Sequence, residues 1–139
     1  MSLHILKNSI VKGRVTLPLD PAGIAASPEI ESLGAELRAT IHANFGRSFH
    51  IREVDTGSCG ACESEIIACS NPLYDIQRLG IDFVASPRHA DALLVTGPVS
   101  RNMEIALIKT YEAMPKPKFV ISLGDCAKDG GLLKGSYYT

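Results

Sequence analysis

Cys59-Gly60-Ala61-Cys62 sets two thiols three positions apart with only glycine and alanine between them. That spacing lets two thiolates turn toward one centre, and the small residues leave room for a bulky inorganic group. Amides at the start of a following helix would favour the thiolate form. By itself the motif fits an iron–sulfur cluster, a zinc site or a thioredoxin-like dithiol. Cys126 narrows the choice, because it precedes Gly130-Gly131, where the backbone can pass close to something large. A dithiol enzyme has no use for a third cysteine there, whereas iron–sulfur and zinc sites can take one. The plain alternative for Cys126 is a buried thiol at a strand end. Cys69 lies two turns past Cys62, about 10 Å along a continuous helix, too far to share one cubane. It reads as a packing residue.

Two neighbours carry weaker signals. Glu65, one turn after Cys62, could relay a proton or tune a redox centre, and equally could be a first-turn acid favoured by the helix dipole. His89 could serve as a fourth ligand, although a solvated loop histidine is the plainer reading. Arg78 and Arg88 read as surface or interface cations, and His42 and His50 have no assigned role.

Strand-to-helix junctions must position these residues. Phe49–Val54 alternates and predicts a strand that feeds the Cys59 loop. Glu63–Ser70 predicts a helix, and Leu73–Leu79 a second helical piece. Ile81–Val84 and Ala92–Thr96 predict strands, the latter continuous enough to be buried on both faces. A helix from about Ser100, with Met103, Leu107, Thr110 and Met114 inward, is stopped by Pro115-Lys116-Pro117. Lys118–Leu123 predicts a further buried strand, and the loop Gly124–Gly131 follows. Upstream, Ser27-Pro28-Glu29 opens a helix whose packing stripe is Ile30, Leu33, Leu37 and Ile41. Residues 1–26, with Gly13, Pro18, Pro21 and Gly23, read as an arm. Alternating strands and helices predict an α/β sandwich around a mostly parallel sheet, whose ligand sites gather beyond the carboxyl ends of its strands.

The bulk numbers fit a single folded domain of 139 residues: 45% of residues are hydrophobic and 21% charged, and the formal net charge of -1 gives no footprint for nucleic acid. No apolar run approaches the roughly 20 residues that span a bilayer. The N-terminus does not read as a signal peptide, so a cytosolic, reducing address is expected and the four cysteines are expected to be unpaired.

Gly57-Ser58-Cys59-Gly60-Ala61-Cys62-Glu63-Ser64-Glu65 resembles the cluster loop of [NiFe]-hydrogenase small subunits and of the related 20 kDa subunit of NADH:quinone oxidoreductase. Ser86–Asp91, Leu94–Pro98 and Gly124–Ala127 with Gly130-Gly131 are similar to further family segments, in the family's order. The quinone oxidoreductase subunit usually has adjacent cysteines, so the C-x-x-C here looks closer to energy-converting, membrane-associated hydrogenases of the formate hydrogenlyase type. The resemblance implies a three-layer, flavodoxin-like sandwich over residues 48–139, preceded by an arm and helix over 1–47. It implies a proximal [4Fe–4S] cluster on Cys59, Cys62 and Cys126, with Glu65 matching the acid after the second cysteine. It also implies a hydrogenase-type large subunit, a ferredoxin-like subunit and integral-membrane subunits as partners. The chain would be an electron-transfer subunit of an oxidoreductase, peripheral on the inner face of the membrane and without catalysis alone. The family's fourth ligand lies in a Gly-Cys-Pro-Pro segment that this sequence does not contain, and a C-terminal truncation is the expectation that follows. The other readings of the same cysteines are a zinc-stabilised interaction module and a thiol–disulfide oxidoreductase.

Overall fold

The computed structural model describes residues 28–139; the arm read at residues 1–26 lies outside them. Residues Leu33–Thr139 form one compact unit. In chain order come α1 (Pro28–Phe45), β1 (Phe49–Asp55), α2 (Ala61–Cys69), a 3-10 turn (Ile76–Leu79), β2 (Ile81–Phe83), a second 3-10 turn (Pro87–His89), β3 (Ala92–Thr96), α3 (Arg101–Ala113), β4 (Phe119–Leu123), α4 (Gly124–Asp129) and a last 3-10 turn (Gly131–Leu133).

The four strands form one sheet in the order β2-β1-β3-β4, and every pair is parallel. Chain order reverses beside β1, so the crevice between the carboxyl ends of β1 and β3 is the switch point of a doubly wound, flavodoxin-type sheet. All five residues of β3 are buried, as its unbroken apolar run predicts. Side chains alternate along it. Leu93 and Val95 join Val54 and Met114 on one face, where Met103 and Leu107 of α3 pack. Ala92 and Leu94 join Ile51 on the other face, where Ile66 of α2 packs. Helices therefore cover both faces, giving the three layers.

Several elements depart from expectation. Of the stripe on α1 only Ile41 packs: Ile30, Leu33 and Leu37 are exposed, and Gly34 is the other buried residue. The inward face is set by Gly34, whose missing side chain admits Leu79, since a Cβ would stand 2.6 Å from Leu79 Cδ2. The piece at Leu73–Leu79 shrinks to a 3-10 turn over Ile76–Leu79. The Asn71 side chain accepts from the amides of Leu73 and Tyr74, and Asp75 is left-handed at φ 45°, so the α-helix cannot continue. Asp129 closes a short helix, α4, in what reads from sequence as loop. β4 is not buried: Phe119, Val120 and Ile121 are 50%, 55% and 39% exposed. It forms the sheet's outer edge, and among the described residues no strand pairs with its far side.

Asp91 secures the amino end of the sheet. Its carboxylate takes both guanidinium nitrogens of Arg47 at 2.8 Å and the His50 amide at 2.9 Å. Burial pushes its carboxyl up, but the Arg47 and His50 bonds outweigh that and hold it below the usual carboxylate range.

Candidate functional site

The carboxyl end of the sheet is built by three loops that lean on one another. After β1, the Asp55 carboxylate accepts the amides of Gly57 (2.8 Å) and Ser58 (2.7 Å), turning the chain sharply. These bonds hold the Asp55 carboxyl below its ordinary value. Thr56 is fully buried, and its hydroxyl donates to the carbonyls of Thr96 (2.7 Å) and Gly97 (3.1 Å), lacing the loop after β1 to the loop after β3. Gly97 sits so close to the first loop that a Cβ would stand 2.6 Å from Ser58 Cα and N. Neither Thr56 nor this close approach was visible in the sequence, because both depend on which loops abut.

Gly60, left-handed at φ 86°, caps α2, which begins two residues earlier than its pattern predicts and so places Cys62 in its first turn. Cys126 lies in the first turn of α4. Cys59 is exposed, while Cys62 and Cys126 are partly buried, and all four cysteines are free thiols. Cys62 Sγ points toward the end of β4, 3.9 Å from the Leu123 carbonyl and 3.3 Å from where a Gly124 Cβ would be. Cys126 Sγ is 2.9 Å from where a Gly131 Cβ would be. Glycine at 124 and 131 thus clears the space around two of the sulfurs.

Burial pushes the Cys62 thiol up, and the negative charges of Glu63, Cys59 and Cys126 add to it. Cys62 thus faces the Leu123–Gly124 turn, two residues before Cys126, while Cys59 lies three residues before Cys62 on the loop after β1. The three thiols do not meet at a point: among the described residues no three His, Cys, Asp or Glu side chains are placed to hold a single metal ion. A cluster is a larger body that carries its thiolates farther apart, and the three soft donors with glycine-cleared space fit that demand.

The remaining candidates fall elsewhere. Cys69 ends the unbroken helix that holds Cys62, about 10 Å along its axis. His89 lies before β3, at the amino end of the sheet, with its carbonyl 3.1 Å from the His50 ring. The length of β3, roughly 13 Å, separates it from the thiols. Glu65 is solvent-exposed. The acid embedded beside the thiols is Glu63, whose carboxylate oxygens are shut off from solvent. Burial pushes its carboxyl up; the nearby hydroxyls of Thr96 and Ser58 outweigh this and keep it below the usual range, although neither makes a bond of good geometry to it. A glutamate directly following a cysteine was the only signal for it in the sequence. No helix among the described residues is long and apolar enough to cross a membrane.

Residues 59–138 match the family described as NADH ubiquinone oxidoreductase, 20 Kd subunit. Formate hydrogenlyase subunit 7 of Escherichia coli (strain K12) is 39% identical over 120 residues, covering 86% of this chain and 47% of that protein. The probable membrane-bound hydrogenase subunit mbhJ of Pyrococcus furiosus is 47% identical over 96 residues, covering 68% of this chain and 57% of the relative. Among solved structures, a chain of the membrane-bound sulfane sulfur reductase, an archaeal respiratory membrane complex, superposes with a TM-score of 0.58 at 31% identity, covering 71% of this chain and 54% of that one. The chain thus spans about half the length of the relatives it matches.

Proposed function

We propose that this chain, which belongs to the NADH ubiquinone oxidoreductase 20 kDa subunit family, is the cluster-carrying electron-transfer subunit of a membrane-associated oxidoreductase complex. The complex would be of hydrogenase or NADH:quinone oxidoreductase type, in keeping with the formate hydrogenlyase, membrane-bound hydrogenase and sulfane sulfur reductase relatives. The observation that carries this reading is that Cys62, from the loop after β1, faces the Leu123–Gly124 turn that leads into Cys126, with Gly124 and Gly131 clearing space around these two sulfurs and Cys59 three residues from Cys62.

In this reading Cys59, Cys62 and Cys126 hold three corners of a [4Fe–4S] cluster, within an α/β part at residues 48–139 preceded by the arm and helix at 1–47. The bound cluster supplies one-electron transfer without bond chemistry. The chain's own residues do the rest. Asp55 and Gly97 fix the loop that carries Cys59. The first turn of α2 presents backbone amides beside Cys62, which offset part of the burial and negative charge that raise its thiol. Glu63 places negative charge next to that thiolate and, by opposing added charge, lowers the potential at which an electron is accepted. The partners are a hydrogenase-type large subunit, a ferredoxin-like subunit and integral-membrane subunits, which hold this chain peripherally at the cytoplasmic face.

Anaerobic purification followed by absorption and paramagnetic-resonance spectroscopy tests the proposal. A brown protein with a reducible cluster signal, lost on replacing Cys59, Cys62 or Cys126, is expected. A colourless protein with stoichiometric zinc would overturn it in favour of an interaction module.

A further inference from the structure

The segment that leaves α4 does not run off into solvent. It passes through Gly130 and Gly131, turns at Leu133, and returns to the start of α3, where the Tyr138 carbonyl accepts the Arg101 amide at 3.0 Å. That amide is one of the first-turn donors a helix cannot satisfy internally. The Thr139 hydroxyl donates back to the Leu133 carbonyl at 2.9 Å, closing the turn. The Tyr138 side chain then lies on Gly57, two residues before Cys59. Its hydroxyl is 3.4 Å from the Gly57 carbonyl, and a Cβ on Gly57 would collide with it. Gly57 is itself left-handed at φ 115°, and buried Ser100 closes its other side, donating its amide to the Thr56 carbonyl at 3.0 Å. The preceding Tyr137, by contrast, is 89% exposed.

We propose that Tyr138 is a positioning residue for the cysteine loop, clamping Gly57 against the start of α3 and so tying the Cys59–Cys62 loop to the segment that carries Cys126. The inference rests on the reading that these cysteines share one cluster. The 3.4 Å separation is long for a hydroxyl bond, whose usual length is about 2.7–2.8 Å. The clamp is made by the tip of the phenol, its hydroxyl and Cζ against Gly57, with the chain beside it anchored by the Arg101 bond. The asymmetry with Tyr137 follows: one tyrosine is built into the site and its neighbour is not.

The test compares Tyr138→Ala, Tyr138→Phe and Tyr137→Ala in the full chain, with two readouts. Amide hydrogen exchange on the cluster-free protein is the first. Tyr138→Ala should speed exchange at Gly57 and Ser58 about tenfold or more while β3 amides keep their rates; Tyr138→Phe, which keeps Cζ and loses the hydroxyl, should fall between the parent and the Ala variant, and Tyr137→Ala should match the parent. Unchanged loop amides, a uniform acceleration that includes β3, or a Phe variant as disturbed as the Ala variant would each overturn the clamp. The second readout is the paramagnetic-resonance line shape and reduction potential of the cluster-loaded chain, which Tyr138→Ala should alter most and Tyr137→Ala not at all. Should the parent chain bind no cluster, the proposed function falls while the exchange data still decide the role of Tyr138.

Discussion

Replacing Gly97 by Ala should disrupt the site from a position that carries no chemistry. Gly97 has φ 72°, and a Cβ there would stand 2.6 Å from Ser58 Cα and N and 2.8 Å from Ser58 Cβ, against ordinary contacts of 3.4–4 Å. The obstacle is backbone, so no flexible side chain can swing aside, and one loop must retreat by about 1 Å. Two effects add. A left-handed L-residue costs roughly 1 kcal/mol, and forcing atoms into a packed junction costs about 1–3 kcal/mol more. The sum, about 3 kcal/mol, is a large part of the 5–15 kcal/mol that typically separates folded from unfolded domains. Gly46→Ala provides the control, since Gly46 is also left-handed at φ 65° but has nothing within 4 Å of its would-be Cβ. Urea unfolding of both variants should place Gly97→Ala about 2 kcal/mol below Gly46→Ala. Alkylation of Cys59 under native conditions should be faster in the Gly97 variant alone. If the two variants agree within about 0.5 kcal/mol, the loops are not in hard contact and the argument for a rigid site fails.

Asp91→Asn should destabilise the chain by about 2 kcal/mol at pH 7, allowing for the half-exposed Arg47 in its ion pair. Because the Asp91 carboxyl is held below its usual value, its contribution is full above the ordinary carboxylate range near pH 4. It fades as pH falls through the lowered value, so the gap between parent and variant in unfolding experiments should narrow only in acid. Cys69→Ala should retain cluster content by iron analysis, whereas Ala at Cys59, Cys62 or Cys126 should abolish it. Glu63→Gln removes a charge that raises the Cys62 thiol. Thiol titration of the cluster-free chain should find Cys62 more acidic, and the cluster potential should move upward by on the order of 50 mV, as expected for one nearby charge in partly solvated surroundings.

The thiol-bearing loops were legible because their information is local. A C-x-x-C with small residues between, placed after an alternating strand, specifies both a turn and a donor pair. β3 was legible for a similar reason, since four consecutive apolar residues and a threonine between turn signals have few other uses. Features that depend on neighbours were not. α4 is only six residues long, too short to show a helical period. Thr56, Glu63 and Gly97 acquire their roles only once the loops after β1 and β3 are pressed together. The α1 stripe was right only at Ile41, because the contact with Leu79 selects Gly34, which carries no hydrophobic signal, over Leu33 and Leu37. His89 is excluded by topology: a parallel sheet sends the β2–β3 connection back to the amino end, a full strand length from the thiols.

The open edge at β4 bears on how this polypeptide behaves in a test tube. Phe119 gives its amide to Asp91 on the β3 side, so the backbone groups of Val120 and Ser122 turn outward by the alternation of a strand. Sheet proteins commonly blunt such an edge with lysine or proline within the strand. Here Lys116, Pro117 and Lys118 all come before it, and the strand itself reads Phe-Val-Ile-Ser-Leu. The edge is therefore where self-association of this chain is expected when it is expressed alone. A lysine at Val120 would be a sparing change for raising soluble yield, since it interrupts the sticky run and leaves the Cys126 turn untouched.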